Sequence, residues 1–217
     1  MSQLTLYDYA ASGNCFKVRL LLAQLGIEYE RVPIDIFDGD TLTDEYERLN
    51  PFRSTPVLVL PDGRPLIESN AILWYVARGT PYLPDDPVGE TEVVRWLIYE
   101  QSDVMPAIGG LRFRLVTGRF SPDSPEAEAR RTNAYEVLRI LDTHLATRDF
   151  LVANRYTIAD LSVFAYAHTA PEAGIDTTPY ASFNKWLGRI EQQPGFVNDL
   201  EPYPPNASLF VGRSLYG

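Results

Sequence analysis

The sequence predicts an α/β domain followed by an all-α domain, and three observations predict it. Over residues 1–79 short strand-like runs and helical spacings follow one another in the order β-α-β, then β-β-α. A Pro- and Asp-rich stretch, residues 80–87, then interrupts the pattern as a linker does. Beyond it, residues 88–217 read as a series of helices. A chain of 217 residues with 45% hydrophobic side chains can bury the cores of two such domains.

Leu4-Thr5-Leu6-Tyr7 mixes aliphatic, β-branched and aromatic residues and reads as the first strand. Val18, Leu21, Leu22 and Leu25 recur at helical spacing, with Lys17, Arg19 and Gln24 at polar positions between them, so an amphipathic helix follows. The two are joined by a turn of small residues, Ala10 to Asn14. The first turn of a helix has N–H groups without intrahelical partners and a partial positive charge, so Ser12 or Cys15 stands where an anion is favoured. Ser12 and Asn14 would equally serve as plain helix caps, and these residues alone leave both readings open. Gly26 stops the helix, and the alternation of Tyr29, Arg31, Val32 and Ile34 marks a second strand. Thr43-Asp44-Glu45-Tyr46 opens a short capped helix that ends near Asn50-Pro51. Pro56 lacks the N–H that a central ladder needs, so it belongs at the first residue of the strand Val57 to Leu60, and its bond to Thr55 is a candidate cis peptide. Asp62-Gly63 predicts a hairpin that pairs this strand with Pro65 to Ile67. Ser69 is expected to cap a helix that runs to Ala77 and is closed by Gly79.

In the second part, Val93, Val94, Trp96, Leu97 and Ile98 begin a long helix with a kink or local break expected near Pro106 and Gly109-Gly110. Glu126 to Leu145, behind Pro125, is an evident helix. Thr157 and Asp160 approximate a capping box, with Asp in place of Glu or Gln, ahead of Leu161 to Tyr166. A last helix is expected over about Ser182 to Gln192, before Pro194-Gly195. The tail from Glu201 to Gly217 is rich in Pro and aromatic residues.

Charge and composition exclude several classes. With 19 Lys and Arg against 29 Asp and Glu the net charge is −10, and Arg112, Arg114 and Arg119 are the only notable basic group, which argues against nucleic acid as a partner. No apolar run approaches the roughly 20 residues that span a bilayer, and Met1 is followed at once by polar and strand-like residues, so no membrane partner and a cytoplasmic location are expected. The single cysteine permits no internal disulfide. Together with two histidines, His144 and His168, it makes no metal cluster of convincing spacing, and no metal is expected.

The βαβ–ββα order, with a proline before the third strand and a polar turn at the first helix, is the thioredoxin-like pattern. Three runs sharpen it: Ser12-Gly13-Asn14-Cys15-Phe16-Lys17-Val18-Arg19, Asn50-Pro51-Phe52-Arg53-Ser54-Thr55-Pro56-Val57-Leu58, and Glu68-Ser69-Asn70-Ala71-Ile72. In this order and spacing they resemble the N-terminal domain of cytosolic glutathione transferases of bacterial, serine-type or related kind. The resemblance continues into the helical part and thins after about residue 195. It implies an enzyme that binds glutathione as substrate and activates its thiolate for attack on a small hydrophobic electrophile. A glutathione-dependent disulfide oxidoreductase or peroxidase, or a non-catalytic glutathione-binding protein, stands as the alternative. A glutathione-dependent isomerase would typically show Ser-Ser-Cys where this chain has Ser12-Gly13-Asn14-Cys15.

By the same resemblance Ser12 is the activating hydroxyl and Asn14 its companion, although tyrosine serves other classes of the family and Tyr7 or Tyr9 would be its counterpart here. Cys15 stands where a glutaredoxin carries its resolving cysteine; otherwise it is a small buried apolar residue. The cysteinyl backbone of glutathione would pair with the main chain of Thr55 ahead of Pro56. The γ-glutamyl carboxylate would sit at the helix opened by Ser69, and Glu68 would receive the ammonium. Many relatives carry Gly-Lys or Gly-Arg where this chain has Arg53-Ser54, which leaves Arg53 as the replacement ligand for the glycyl carboxylate. Asp103 is a candidate contact to a partner subunit's ligand. A homodimer is expected, because helix faces carrying Ala71, Ile72, Tyr75, Val94 and Leu97 would otherwise be uncovered.

Overall fold

A four-stranded sheet forms the first unit because each strand alternates its apolar residues between two helical layers. In the computed structural model, which describes residues 3–204 and 207, the chain runs β1 (Leu4–Asp8), α1 (Gly13–Gln24), β2 (Tyr29–Pro33), α2 (Asp44–Leu49), β3 (Val57–Val59), β4 (Pro65–Ile67) and α3 (Ser69–Ala77). The sheet order is β2-β1-β3-β4, with β1 parallel to β2 and β3 antiparallel to both neighbours. Leu6 and Leu58 pack on one face against Val18 and Leu22 of α1 and Ile72 of α3. Val57 packs on the other with Ile34 and Tyr46, joined by Tyr7 and Leu49. This is the thioredoxin-like arrangement that the strand and turn pattern predicts. The hairpin turns through Gly63 at φ 86°, a conformation that favours glycine.

Helix α1 departs from the amphipathic reading. Gly13 and every residue from Cys15 to Leu22 are buried, Lys17 and Arg19 included, so the two cations lie inside rather than on a solvated face. Arg19 is only 1% exposed and donates to Asp8 of β1, to both carboxylate oxygens of Asp199 at 3.0 and 2.9 Å, and to the carbonyls of Ala10 and Asp199. Arg31 of β2 also donates to Asp8. A buried cation needs such partners, since desolvation would otherwise outweigh any gain from burying it. Through Asp199 the pairing fastens the segment after Val197 to β1 and α1, and the Glu201 N–H adds a bond to the carbonyl of Ala10 at 3.2 Å. That segment belongs to the first unit, which otherwise extends to Val76, while Ala77–Phe196 form the second. Most of the tail beyond Pro204 lies outside the described residues.

The second unit is helical throughout: α4 (Pro87–Tyr99), a π-helical stretch (Glu100–Gly109), α5 (Gly110–Val116), α6 (Pro125–Leu145), α7 (Ile158–Ala167) and α8 (Ala181–Glu191), with a 3₁₀ turn at Ala170–Ala173. The expected break at Pro106 is replaced by a wider winding: a proline cannot donate to the i−4 carbonyl, and the π register accommodates it without ending the helix. Gly109 is required there because a Cβ would stand 2.2 Å from the Tyr166 ring. The capping box forms with Asp160 as its acid. This buried carboxylate accepts from the Leu151 and Thr157 N–H groups and from Trp186 Nε1, while burial raises its pKa to about 6. Of the helix faces expected to lie open, Ile72 and Leu97 are buried in the chain's own cores, whereas Ala71, Tyr75 and Val94 are exposed; Ile98, beside them on α4, is exposed as well. Among the described residues no helix is long and apolar enough to cross a membrane.

Removing one partner of a buried ion pair strands the other. Asp8→Ala should therefore lower the unfolding free energy by about 3–5 kcal/mol. Asp199→Ala, which removes a half-exposed partner and leaves Asp8 in place, should cost about 1 kcal/mol or less. Urea titration of the two variants checks the ranking, and equal losses would refute it.

Candidate functional site

The turn between β1 and α1 places Ser12 as the N-cap of α1, with extended backbone and its hydroxyl oxygen accepting from the Cys15 N–H at 3.4 Å. Asn14, in the first turn of the helix, has its Oδ1 engaged twice: Lys17 Nζ donates to it at 2.9 Å and the Ser69 hydroxyl at 3.1 Å. Lys17 Nζ also donates to Ser69 Oγ and to Asn70 Oδ1, each at 3.5 Å. Lys17 is 0% exposed. The ammonium thus ties the start of α1 to the start of α3 inside the first unit.

Sequence reasoning missed Lys17, which it placed on a polar face. The available signal was a lysine three residues after Asn14 in a helix whose other neighbours are apolar. Ser69 also differs from expectation. It is the first residue of α3 rather than its cap, it is buried, and its hydroxyl proton goes to Asn14. The capping place belongs to Glu68, whose carbonyl accepts from the Ile72 N–H. Glu68 has φ 67°, in the left-handed region that a residue with a side chain adopts only at some cost in strain.

Thr55 stands at the head of β3, and its bond to Pro56 is cis. The loop before it is organised by Asn50, a buried residue to which sequence reading gave no role beyond a helix end and the start of a family-like run. Its Nδ2 donates to the Ser54 carbonyl at 2.7 Å and its Oδ1 accepts from the Phe52 N–H at 2.9 Å, while Tyr46 Oη donates to the same Ser54 carbonyl. The Tyr9 N–H donates to the sulfur of Cys15 at 3.4 Å, and Thr55 and Ser12 both act to lower the pKa of that thiol. Arg53 has φ 52° and its guanidinium is paired with Glu47 at 2.6 Å. Asp103 lies on the π-helical stretch of the second unit, exposed, and accepts from the Ser102 hydroxyl.

The alternative sulfur and phenol groups are placed differently. Cys15 is 0% exposed; burial first, and then the Asp8 charge, push its thiol up to about 12, beyond the weak opposing effect of the hydrogen bonds it receives. Such a thiol is a packed group rather than a nucleophile. The Tyr7 ring packs edge-on to Tyr46 on the α2 side of the sheet, and Tyr9 is buried against Phe37 and Tyr203. His144 and His168 each contact a main-chain carbonyl of their own unit, those of Leu151 and Phe164, and among the described residues no group of three His, Cys, Asp or Glu side chains could hold a metal ion.

Comparison with known proteins identifies the family. Residues 11–78 match the family described as glutathione S-transferase, N-terminal domain, and residues 104–194 match glutathione S-transferase, C-terminal domain. A glutathione S-transferase domain-containing protein of Dictyostelium discoideum is 31% identical over 196 residues, covering 83% of this chain and 74% of that one. The crystal structure of a glutathione S-transferase from Pseudomonas fluorescens is 36% identical, covers 92% of this chain and all of that one, and superposes with a TM-score of 0.88. A glutathione transferase from Pseudomonas putida, solved with one glutathione disulfide bound per subunit, is 25% identical over 89% of each chain with a TM-score of 0.78. The chain belongs to the glutathione S-transferase family.

Proposed function

We propose that this protein is a serine-type glutathione transferase. The observation that carries the reading is the hydrogen-bonded junction Asn14–Ser69–Lys17, which joins the N-termini of α1 and α3. Two helix N-termini held together offer backbone N–H groups to two anions at once, as glutathione requires for its thiolate and its γ-glutamyl carboxylate. Ser12 donates its hydroxyl proton to the sulfur, with Asn14 beside it. Thr55, ahead of Pro56, pairs with the cysteinyl backbone, and Glu68 takes the ammonium. Ser69 supports the carboxylate end through its main-chain N–H, its hydroxyl proton being committed to Asn14. Arg53 can reach a glycyl carboxylate only by exchanging Glu47 for it. The similar Pseudomonas putida transferase, with glutathione disulfide bound, supports glutathione as the ligand.

The reaction follows from a perturbed thiol. Free glutathione, with a pKa near 8.5, is only a few per cent thiolate at neutral pH. Hydrogen bonds to the anion and the helix terminus favour ionisation, and the proton leaves to solvent. The thiolate lone pair then forms a sulfur–carbon bond to a small hydrophobic electrophile, whose leaving group departs with its bonding pair. Assembly as a homodimer belongs to the same proposal. Val94 and Ile98, one turn apart on α4, are 40% and 62% exposed and form an apolar stripe that a second copy would cover. Asp103 would then contact the partner subunit's ligand.

Calorimetric titration with glutathione is the first test, with micromolar to millimolar affinity expected. Ser12→Ala should raise the pKa of the bound thiol by about one to two units, or about 1.4–2.7 kcal/mol, with little change in affinity. Because Ser69 and Lys17 hold Asn14, Ser69→Ala and Lys17→Met should weaken binding and also raise the thiol pKa, whereas Glu68→Gln should weaken binding alone. Ultraviolet thiolate absorbance against pH reads these shifts, and a shift seen only in Tyr7→Phe or Tyr9→Phe would overturn the serine assignment. A thiol at about 12 is ionised to roughly one part in ten thousand at pH 8, so Cys15 should resist iodoacetamide until the protein unfolds, and Cys15→Ser should keep its turnover.

A further inference from the structure

Arg112, Arg114 and Arg119 are the only notable basic group of an acidic sequence, and the fold divides them. Arg112 is buried and pairs with Glu172 at 2.7 Å, so its charge is accounted for. Arg114, at the end of α5, and Arg119, in the loop that follows, are joined instead by Arg130 of α6. Nη1 of Arg114 and Nη1 of Arg130 lie 3.3 and 3.5 Å from the point where a Cβ on Gly110 would stand, so two like charges converge on one spot that the glycine keeps open. Both guanidiniums rest on the Phe120 ring, at 5.6 and 5.9 Å from its centre, and Arg119 rests on Phe113 at 4.7 Å. All five side chains are partly exposed.

What these cations bond to is neutral. Arg114 Nη1 donates to the Gly110 carbonyl at 3.1 Å, Arg130 Nη1 to the Pro106 carbonyl at 2.7 Å, and Arg119 Nη1 to the Thr117 hydroxyl at 2.9 Å. Among the described residues no carboxylate lies within 4.0 Å of any of the three. Arg64, Arg95, Arg131, Arg139 and Arg189, by contrast, each have an acidic partner at the surface. Partial burial and the neighbouring charges of Arg130 and Arg119 also depress the pKa of Arg114. Like charges gathered in this way repel one another, and a bound anion would relieve the repulsion. The aromatic rings and carbonyls hold the planar forks in place, and such forks match the oxygen pairs of carboxylates and phosphates.

We propose that Arg114, Arg130 and Arg119, seated on Phe120 and Phe113 around Gly110, form an anion site in the helical unit that binds a small molecule through a carboxylate or phosphate group. The site is independent of the glutathione reading, since none of its residues belongs to that site. The test is thermal unfolding of the full chain in rising inorganic phosphate or citrate, with ionic strength held constant by sodium chloride. The midpoint should rise by about 5 °C or more at saturation with at least one of the two probes. A response to phosphate alone identifies a phosphate-bearing ligand, and one to citrate alone a polycarboxylate. Arg114→Gln and Arg130→Gln should lose most of the increment, Arg114→Lys should keep only part of it, and Arg95→Gln, at an exposed pair elsewhere on α4, should keep all of it. Reading the increment rather than the midpoint itself separates anion binding from any change in basal stability. The proposal falls if phosphate and citrate act no differently from chloride, or if the glutamine variants respond as fully as the unaltered protein.

Discussion

The burial of α1 around its whole circumference is the constraint on which the first unit depends. A helix between a sheet and other packed chain has no face left for solvent, yet this one carries Lys17 and Arg19. Each cation must therefore be solvated by protein, and the two are handled according to their shapes. The planar guanidinium of Arg19 spreads its donors over Asp8, Asp199 and two carbonyls. The compact ammonium of Lys17 gathers three side-chain oxygens, from Asn14, Ser69 and Asn70. One network fastens the segment after Val197 to the unit; the other ties the start of α1 to the start of α3 at the candidate site. Position in the helix separates them, because Lys17 lies one turn from the N-terminus and Arg19 faces β1.

This gives the candidate site a support that loops alone would not supply. Ser12 ends a short turn, Asn14 stands in the first turn of α1 and Ser69 follows a strained residue, positions where a helix end frays most easily. The buried ammonium holds Asn14 and Ser69 from beneath in one hydrogen-bonded cluster. In the proposed reading, the groups that serve the sulfur and the groups that serve the γ-glutamyl end are therefore energetically coupled, since Asn14 and Ser69 share a proton and a cation.

Much of the architecture was legible because local chemistry dictates it. Gly26 and Gly63 adopt the positive φ that stops and turns demand, Thr43 caps α2, and Pro56 heads a strand whose ladder it could not have joined. Thr157 and Asp160 form their box because the four-residue spacing contains the whole motif. Other features were hidden for a common reason: they depend on what packs against a helix rather than on the helix itself. Periodicity places Lys17 and Arg19 among polar positions and cannot register that sheet and tail cover them. Ser69 looks like a cap in sequence, but the backbone turns one residue earlier, at Glu68. Pro106 signals a broken helix, and only the surrounding packing turns it into a π-helical winding. Asn50 looks like a helix end, whereas its carboxamide builds the loop that leads to Thr55.

The polarity of the site follows from the same burial. Ser12 Oγ accepts from the Cys15 N–H, and Asn14 Oδ1 accepts from Lys17 and Ser69, so both residues have their acceptor oxygens turned toward the protein. Beside them, the N–H groups of the first turn of α1 have no intrahelical carbonyl to serve and are the donors the proposed reading assigns to an anion. An amide whose oxygen is held by a cation cannot turn over without placing its NH₂ against the ammonium, so the orientation is fixed by charge and not merely by packing. In the proposed reading those N–H groups and the helix terminus favour a thiolate over a neutral thiol. Cys15, two residues behind, lies in the opposite environment, sealed from solvent and next to the Asp8 charge, where a thiolate is disfavoured. In the proposed reading the turn separates, within four residues, a place where a ligand's sulfur would ionise from one where the chain's own stays protonated.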